Sequence, residues 1–242
     1  MSDITATKTL YLIRHGESTF NEWRTRSLWN FSWIFVRDPM IVDAPLSATG
    51  REQVAKLHKL IQSKHLEDII EVIITSPLTR AIETTIEAFP DTKIPIVDSS
   101  CREMLDTACD IGRQPTELAQ QFLSQADLDF SNLDPIWWLD SKNVARLRTD
   151  DTSSGKTLIP STPDEVLPLR ETAKDVDVRI REFVAKLEER PEQHIAIVGH
   201  SSFFKRMLAM RRKLCNCELL EISFDHVRLR YLRQEVNANF LK

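Results

Sequence analysis

The sequence predicts an α/β fold, a three-layer sandwich with a mostly parallel central sheet flanked by helices. Three observations carry that expectation. Short apolar runs at residues 9–14, 72–75 and 194–198 read as buried strands. Between them, apolar residues recur at helical spacing, as in Val54, Leu57 and Ile61, or Val176, Ile180, Phe183, Val184 and Leu187. Strands that alternate with helices in this way pair in parallel.

In chain order, the strand at 9–14 comes first, followed by a polar, tryptophan-rich stretch. Ser47 then stands as the N-cap of a helix bearing Val54, Leu57, His58 and Ile61. The strand at 72–75 ends at Ser76-Pro77, where Ser76 as N-cap and Pro77 at the first helical position open a helix through about Phe89. Residues 94–97 give a short third strand. A different region, roughly 104–165, follows and holds 11 acidic against 5 basic residues. It reads as an insertion covering one end of the sheet, helical near 115–123 and loop-like at 149–155. A long amphipathic helix runs from about Val166 or Leu169 to Glu189. The strand at 194–198 and a helix over 201–211 with a basic end come next. Residues 218–224 and 227–232 alternate as two further strands of a hairpin. All of this reads as one domain over residues 1–242.

Composition narrows the function. Apolar residues make up 42% and charged residues 28%, as in ordinary globular proteins. A net charge of −4 gives no whole-molecule attraction to nucleic acid or to an anionic membrane. No stretch is apolar for long enough to span a bilayer, and the first residues lack the basic-then-apolar pattern of a signal peptide. The four cysteines, Cys101, Cys109, Cys215 and Cys217, form no disulfide framework. Cys215-Asn216-Cys217 lacks a partner pair for a metal site, so reduced structural thiols and a cytoplasmic location are expected.

Chemistry concentrates where strands end, as it does in open α/β sheets. Arg14-His15-Gly16-Glu17 follows the first strand, and Gly199-His200-Ser201 follows the last. A neutral imidazole at His15 is a competent nucleophile toward phosphorus. Arg14 supplies a bidentate fork, Asn21 a neutral donor from the next helical turn, and a protonated His200 a donor to the same phosphate. Arg80 lies in a first helical turn, where the dipole disfavours a cation by ~0.3–1 kcal/mol and a bound anion would reverse the penalty. A carboxyl at Glu103, beside a dianion, would carry the proton an alkoxide leaving group needs. Pairing with Arg102 would oppose that role. Glu17 is expected to orient the site, and Ser18 to cap a helix or donate to phosphate. No metal and no other cofactor is required.

The stretches Leu12-Ile13-Arg14-His15-Gly16-Glu17-Ser18, Thr75-Ser76-Pro77-Leu78-Thr79-Arg80-Ala81, Cys101-Arg102-Glu103 and Val198-Gly199-His200-Ser201 resemble the histidine phosphatase superfamily. The resemblance covers most of the chain, and the motif order points to its phosphoglycerate-mutase-like branch. It implies a phosphoglycerate-mutase-like sandwich and phosphorylation of His15. It further implies a phosphate pocket of Arg14, Arg80 and His200, and a proton donor at the Glu103 position.

The expected function is therefore metal-free phosphomonoester hydrolysis through a phosphohistidine on His15. A 2,3-bisphosphoglycerate-dependent mutase is the alternative; against it, residues 104–113 after Glu103 hold one arginine and two aspartates. A protein-binding scaffold without turnover is the alternative from another class, opposed by the intact set of His15, Arg14, Arg80, Glu103 and His200. Serine hydrolysis at Ser201 fails because Phe203 replaces the second glycine of the nucleophile elbow. The substrate is a small phosphorylated metabolite or a phosphoprotein, with no nucleic-acid partner. The aromatic segment 23–36, with Trp23, Trp29, Phe31, Trp33 and Phe35, is expected to pack over the core as a loop. The other readings are an edge strand, a substrate lid, or a surface for a protein partner or self-association. Arg24, Arg26 and Arg37 bring positive charge to substrate or stay solvated.

Overall fold

The computed structural model describes residues 8–36, 38–90, 94–150 and 159–231. Arg37, most of the loop at 149–155 and Leu232 therefore lie outside the described residues. Among the described residues, five strands form one sheet in the order β3-β2-β4-β1-β5: β1 (Thr9–Arg14), β2 (Val72–Thr75), β3 (Ile96–Val97), β4 (His194–Gly199) and β5 (Leu219–Ser223). The β3–β2, β2–β4 and β4–β1 pairs are parallel, and β5 joins the edge antiparallel to β1. The expected fold class is the one observed.

Side chains alternate across a strand, so each strand feeds two cores. Leu10, Leu12, Val72, Ile74, Ile195 and Ile197 point into one cluster, closed by α8 (Ala173–Glu189), α9 (Ser201–Met207) and α10 (Asp225–Tyr231). Tyr11, Ile13, Ile73, Ala196 and Val198 point into the other, closed by α2 (Ala48–Ser63), α3 (Leu66–Ile69) and α4 (Thr79–Ala88). These are the two outer layers of the sandwich. A third cluster sits beside them, where Leu105, Leu118, Trp137 and Trp138 pack on Leu78, just before α4, on Ile82 of α4 and on Val97 of β3. The region after Glu103 thus leans on α4 and the β3 edge. Its helices are α5 (Pro115–Phe122), α6 (Ser141–Asp150) and α7 (Pro163–Val166).

Several boundaries differ from the expectation, each for a local reason. Helix α4 starts at Thr79, not at Pro77, and its N-cap Leu78 makes no side-chain cap. Asp43 caps it from a distant loop instead, accepting from Thr79 N at 2.8 Å and from Thr79 Oγ1 at 2.6 Å. The third strand shrinks to Ile96–Val97. Helix α8 begins only at Ala173, because Pro168 sits in a 3-10 turn and the reciprocal cap of Thr172 with Asp175 sets a new start. Helix α9 stops at Met207, well before Arg211: Ala209 takes the left-handed conformation (φ 52°), Ala209 N donates to Arg206 O, and Met210 N to Lys205 O. That bonding is a Schellman ending with alanine where glycine usually stands, so the sequence carries no stop signal.

The expected second strand of the C-terminal hairpin is helix α10. Val227, Leu229 and Tyr231 imitate a two-residue period, yet Leu229 is 45% exposed. Phe224, Val227 and Tyr231 are buried, the spacing of one helical face.

Candidate active site

Strand register assembles the site. Arg14 pairs with Gly199, so the next residue on each strand is a histidine. The His15 and His200 rings lie 5.0 Å apart, centroid to centroid. Thr75 pairs with Val198, which brings Ser76 to the same level. His200 Nε2 is 2.7 Å from Ser76 Oγ, so this serine holds the second histidine rather than capping α4.

His15 is buried, and its Nδ1 lies 2.6 Å from the Gly16 carbonyl. A carbonyl only accepts, so Nδ1 carries the hydrogen and Nε2 keeps its lone pair. Burial first, then Arg80 and Arg14, hold the His15 pKa well below the ordinary histidine value. His200 is depressed in the same direction, by burial and then by Arg80 and His15.

The surrounding backbone is locked. Helix α1 (Thr19–Trp29) starts at Ser18, whose Oγ accepts from Asn21 N while Ser18 N donates to Asn21 Oδ1. Ser18 is therefore the cap, and Asn21 keeps its amide nitrogen for other partners. Glu17 Oε1 accepts from Ser47 Oγ at 2.8 Å, tying this loop to the start of α2. A Cβ on Gly50 would stand 2.0 Å from the Glu17 carbonyl oxygen, so only glycine lets α2 approach so closely. Thr84 of α4 accepts from Gly16 N, joining the loop to the helix that carries Arg80.

The two arginines are braced differently. Arg14 donates to the Leu214 carbonyl at 2.7 Å, while Cys217 N donates back to the Arg14 carbonyl and Asn216 Nδ2 to the His15 carbonyl. The Cys215–Cys217 stretch is thus a backbone clamp under the first motif. Burial pushes the Cys217 thiol up to about 12. Arg80 is buried and reaches the Cys109 carbonyl at 2.6 Å and Asp110 Oδ1 at 2.8 Å. Among the described residues, Arg14 Nε and His200 Nδ1 are buried with no hydrogen-bond partner.

Glu103 does not pair with Arg102. Its carboxylate takes the backbone N–H groups of Ser202 and Phe203, at the start of α9, and of Met104. Burial first, then Asp110, raise its pKa above the ordinary carboxylate value despite those donors. Arg102 turns inward to Glu171 at 2.6 Å. Arg179 also holds Glu171, and it donates to the carbonyls of Ser100, Arg102 and Glu103. This Arg102–Glu171–Arg179 triad fixes the loop that carries Glu103.

Arg14, His15, Asn21, Arg80 and Glu103 all line one cavity of about 810 Å³. Among the candidate residues, His200 lies fully buried beside His15. Sequence reasoning missed Asp43, Asp110, Glu171, Arg179 and Asn216. Each acts across a long stretch of chain, and only the acidity after Glu103 pointed toward Asp110. Among the described residues no group of three or more His, Cys, Asp or Glu side chains is placed to hold a metal ion. No described helix is long and apolar enough to cross a membrane.

The fold and this strand-end site define a class of proteins built around paired histidines. The sequence profile of the histidine phosphatase superfamily (branch 1) matches residues 10–149, and the chain belongs to that superfamily. Phosphoglycerate mutase-like protein 1 of Arabidopsis thaliana is 28% identical over 257 residues, covering 88% of this chain and 79% of the relative. A second Arabidopsis thaliana phosphoglycerate mutase-like protein is 27% identical, covering 92% and 83%. Among solved structures, the alpha-ribazole phosphatase from Shigella flexneri superposes with a TM-score of 0.50 at 20% identity, covering 89% of this chain and 90% of that one. A structure from Escherichia coli superposes at 0.51 with the same identity and coverage. At that identity the likeness establishes the fold.

Proposed function

We propose that the protein is a phosphomonoesterase that works through a phosphohistidine on His15 and needs no metal. The observation that carries this is the setting of His15: buried, its pKa held below the ordinary value by burial and by Arg80 and Arg14, with Nδ1 committed to the Gly16 carbonyl and the Nε2 lone pair left for phosphorus. Arg14 and Arg80 neutralise the phosphoryl oxygens, the amide nitrogen of Asn21 adds a neutral donor, and His200 offers Nδ1. A phosphate dianion meeting Arg14 Nε and His200 Nδ1 would satisfy both orphaned nitrogens, each costly when buried unpaired. The dianion also favours the imidazolium form of His200, which then stabilises the transition state.

In the first step His15 Nε2 bonds to phosphorus as the bond to the alcohol oxygen breaks. Glu103, whose buried carboxyl has its pKa raised above the ordinary value, gives its proton to that oxygen. In the second step the Glu103 carboxylate takes a proton from water as the water oxygen bonds to phosphorus. The phosphorus–nitrogen bond breaks and returns neutral His15 with inorganic phosphate.

Hydrolysis is favoured over phosphoryl return by the charge of the cavity. Arg14 and Arg80 at the phosphate end, with Arg24 and Lys213 on the same lining, face the carboxylates of Glu17, Asp106 and Asp110, while Glu103 carries its proton for the leaving group. That leaves a surplus of one positive charge, far short of what a bisphosphorylated acid brings. The test has two parts. His15→Ala should cut phosphate release from an aryl phosphate by roughly 10⁴-fold or more, and should abolish labelling of the protein by ³²P-substrate. Equal turnover in both proteins overturns the assignment. Incubation with 2,3-bisphosphoglycerate and 3-phosphoglycerate should yield phosphate, and rapid formation of 2-phosphoglycerate would establish the mutase instead.

A further inference from the structure

The cavity is far larger than a phosphate, and its two ends differ in chemistry. A volume of about 810 Å³ is that of a site for a drug-sized ligand. The outer wall is built by α1 and the 3-10 turn Ser32–Ile34 that follows it, and it presents Phe20, Trp23, Leu28 and Trp33 to the cavity. Met104 faces the same space. Trp23 is held at a fixed angle by Phe20, ring centroids 5.8 Å apart. Leu28 and Trp33 are 57% and 48% exposed, two large apolar side chains left uncovered at the cavity rim. Charge on the rest of the lining is mixed, with Arg24 and Lys213 beside Glu17 and Asp106 and with Asp110 already paired with Arg80, so the aromatic wall is its distinctive feature.

We infer that this wall is a subsite for an apolar leaving alcohol. The substrate class is a phosphate monoester whose esterified group carries an alkyl or aromatic body and no second strong anion. The inference rests on the phosphomonoesterase reading of the same site. With phosphorus at His15, the ester oxygen turned to Glu103 leads the rest of the molecule outward, and the outer wall of the cavity is where that body meets Trp23, Leu28 and Trp33. Covering these side chains supplies binding energy in proportion to the apolar area removed from water. Trp23 and Trp33 are the specificity-determining residues.

The experiment compares alcohol esters of similar leaving-group acidity, so that chemistry at phosphorus is constant. Wild type should prefer n-octyl and benzyl phosphate over glycerol phosphate and 3-phosphoglycerate by at least about tenfold in kcat/KM, as roughly 55 Å² of newly covered apolar surface would give. Trp33→Ala, at an exposed position that the core does not use, should lower the octyl-to-glycerol ratio about tenfold, chiefly through KM. Phe35→Ala, outside the cavity wall and 88% exposed, should leave the ratio unchanged. Preference for 3-phosphoglycerate, or an unchanged ratio in Trp33→Ala, overturns the subsite. Calorimetric titration with octylphosphonate and methylphosphonate separates this failure from failure of the enzymatic reading. Tighter octylphosphonate binding that Trp33→Ala abolishes supports the subsite even in a protein that turns nothing over. Equal binding of the two phosphonates refutes the subsite whatever the turnover.

Discussion

The two ends of the cavity are built on opposite principles. At the phosphate end most polar groups have named partners, and side chains from β1, α4, the Glu103 loop and the 214–217 clamp are braced against one another. Along α1 and the turn beyond it, Leu28, Trp29, Phe31, Trp33, Ile34 and Phe35 stand largely in solvent. The first end is preorganised, as the proposed phosphoryl transfer requires. The second has few native contacts to lose, so its shape is set by a short cap and by Trp23 against Phe20. The paired histidines are held by two neighbouring strands inside the sheet, while the aromatic segment stands beyond the end of β1.

Mutations should divide along the same line. The largest loss of stability belongs to Glu171→Ala, which leaves Arg102 and Arg179 buried without their carboxylate. About 3–5 kcal/mol is expected, read from denaturant unfolding. A loss below about 1 kcal/mol would mean that the triad does not brace the Glu103 loop. Glu171 also predicts acid sensitivity. Burial would raise its pKa, but Arg102 and Arg179 together hold it below the ordinary value of 4.5. Its stabilisation is present above pH 4.5 and fades as pH falls through the folded-state value.

Glu103→Gln should cost roughly 10²–10⁴-fold in turnover of alkyl phosphates and far less with aryl phosphates, whose leaving groups need no proton. The pH profile sharpens this. For kcat/KM, activity falls on the acid side as His15 protonates below the ordinary value of 6.5, and on the alkaline side as Glu103 loses its proton above the ordinary 4.5. The glutamine variant should keep the acid limb and lose the alkaline one. An alkaline limb that survives assigns the acid to another group.

Asp43→Ala should cost about 0.5–2 kcal/mol, the loss of a helix cap, visible as a lowered unfolding midpoint. Smallest of all, Trp29→Ser should change stability by less than about 0.5 kcal/mol, since Trp29 is 83% exposed. A larger loss would show that the outer segment packs more firmly than its exposure indicates.

The same division governed what could be read from the chain. The strands, the α2 cap at Ser47 and the residues His15, Arg14, Arg80, Glu103 and His200 were legible because each is written in a few consecutive positions. Their supports were not. Asp43, Glu171, Arg179 and Asn216 act through contacts that no local pattern encodes. Ala209 ends α9 without the glycine that would announce it, and Val227, Leu229 and Tyr231 alternate like a strand until tertiary packing selects a helix. The aromatic segment misled most. Its hydrophobicity argued for burial over the core, whereas α1 ends and turns outward, leaving Trp29, Phe31 and Phe35 uncovered.

The clamp beneath the first motif also has a consequence in time. Asn216 reaches the His15 carbonyl across 201 positions, and Leu214 takes the Arg14 guanidinium across 200. A ribosome adding 5–20 residues per second needs roughly 10–40 s to bring those partners out after the nucleophile has emerged. For most of that interval β1 lacks both neighbouring strands, and the tryptophans beyond it are already exposed. The His15 loop therefore lacks its clamp until the last part of the chain arrives, and it is during this wait that a chaperone has most to hold.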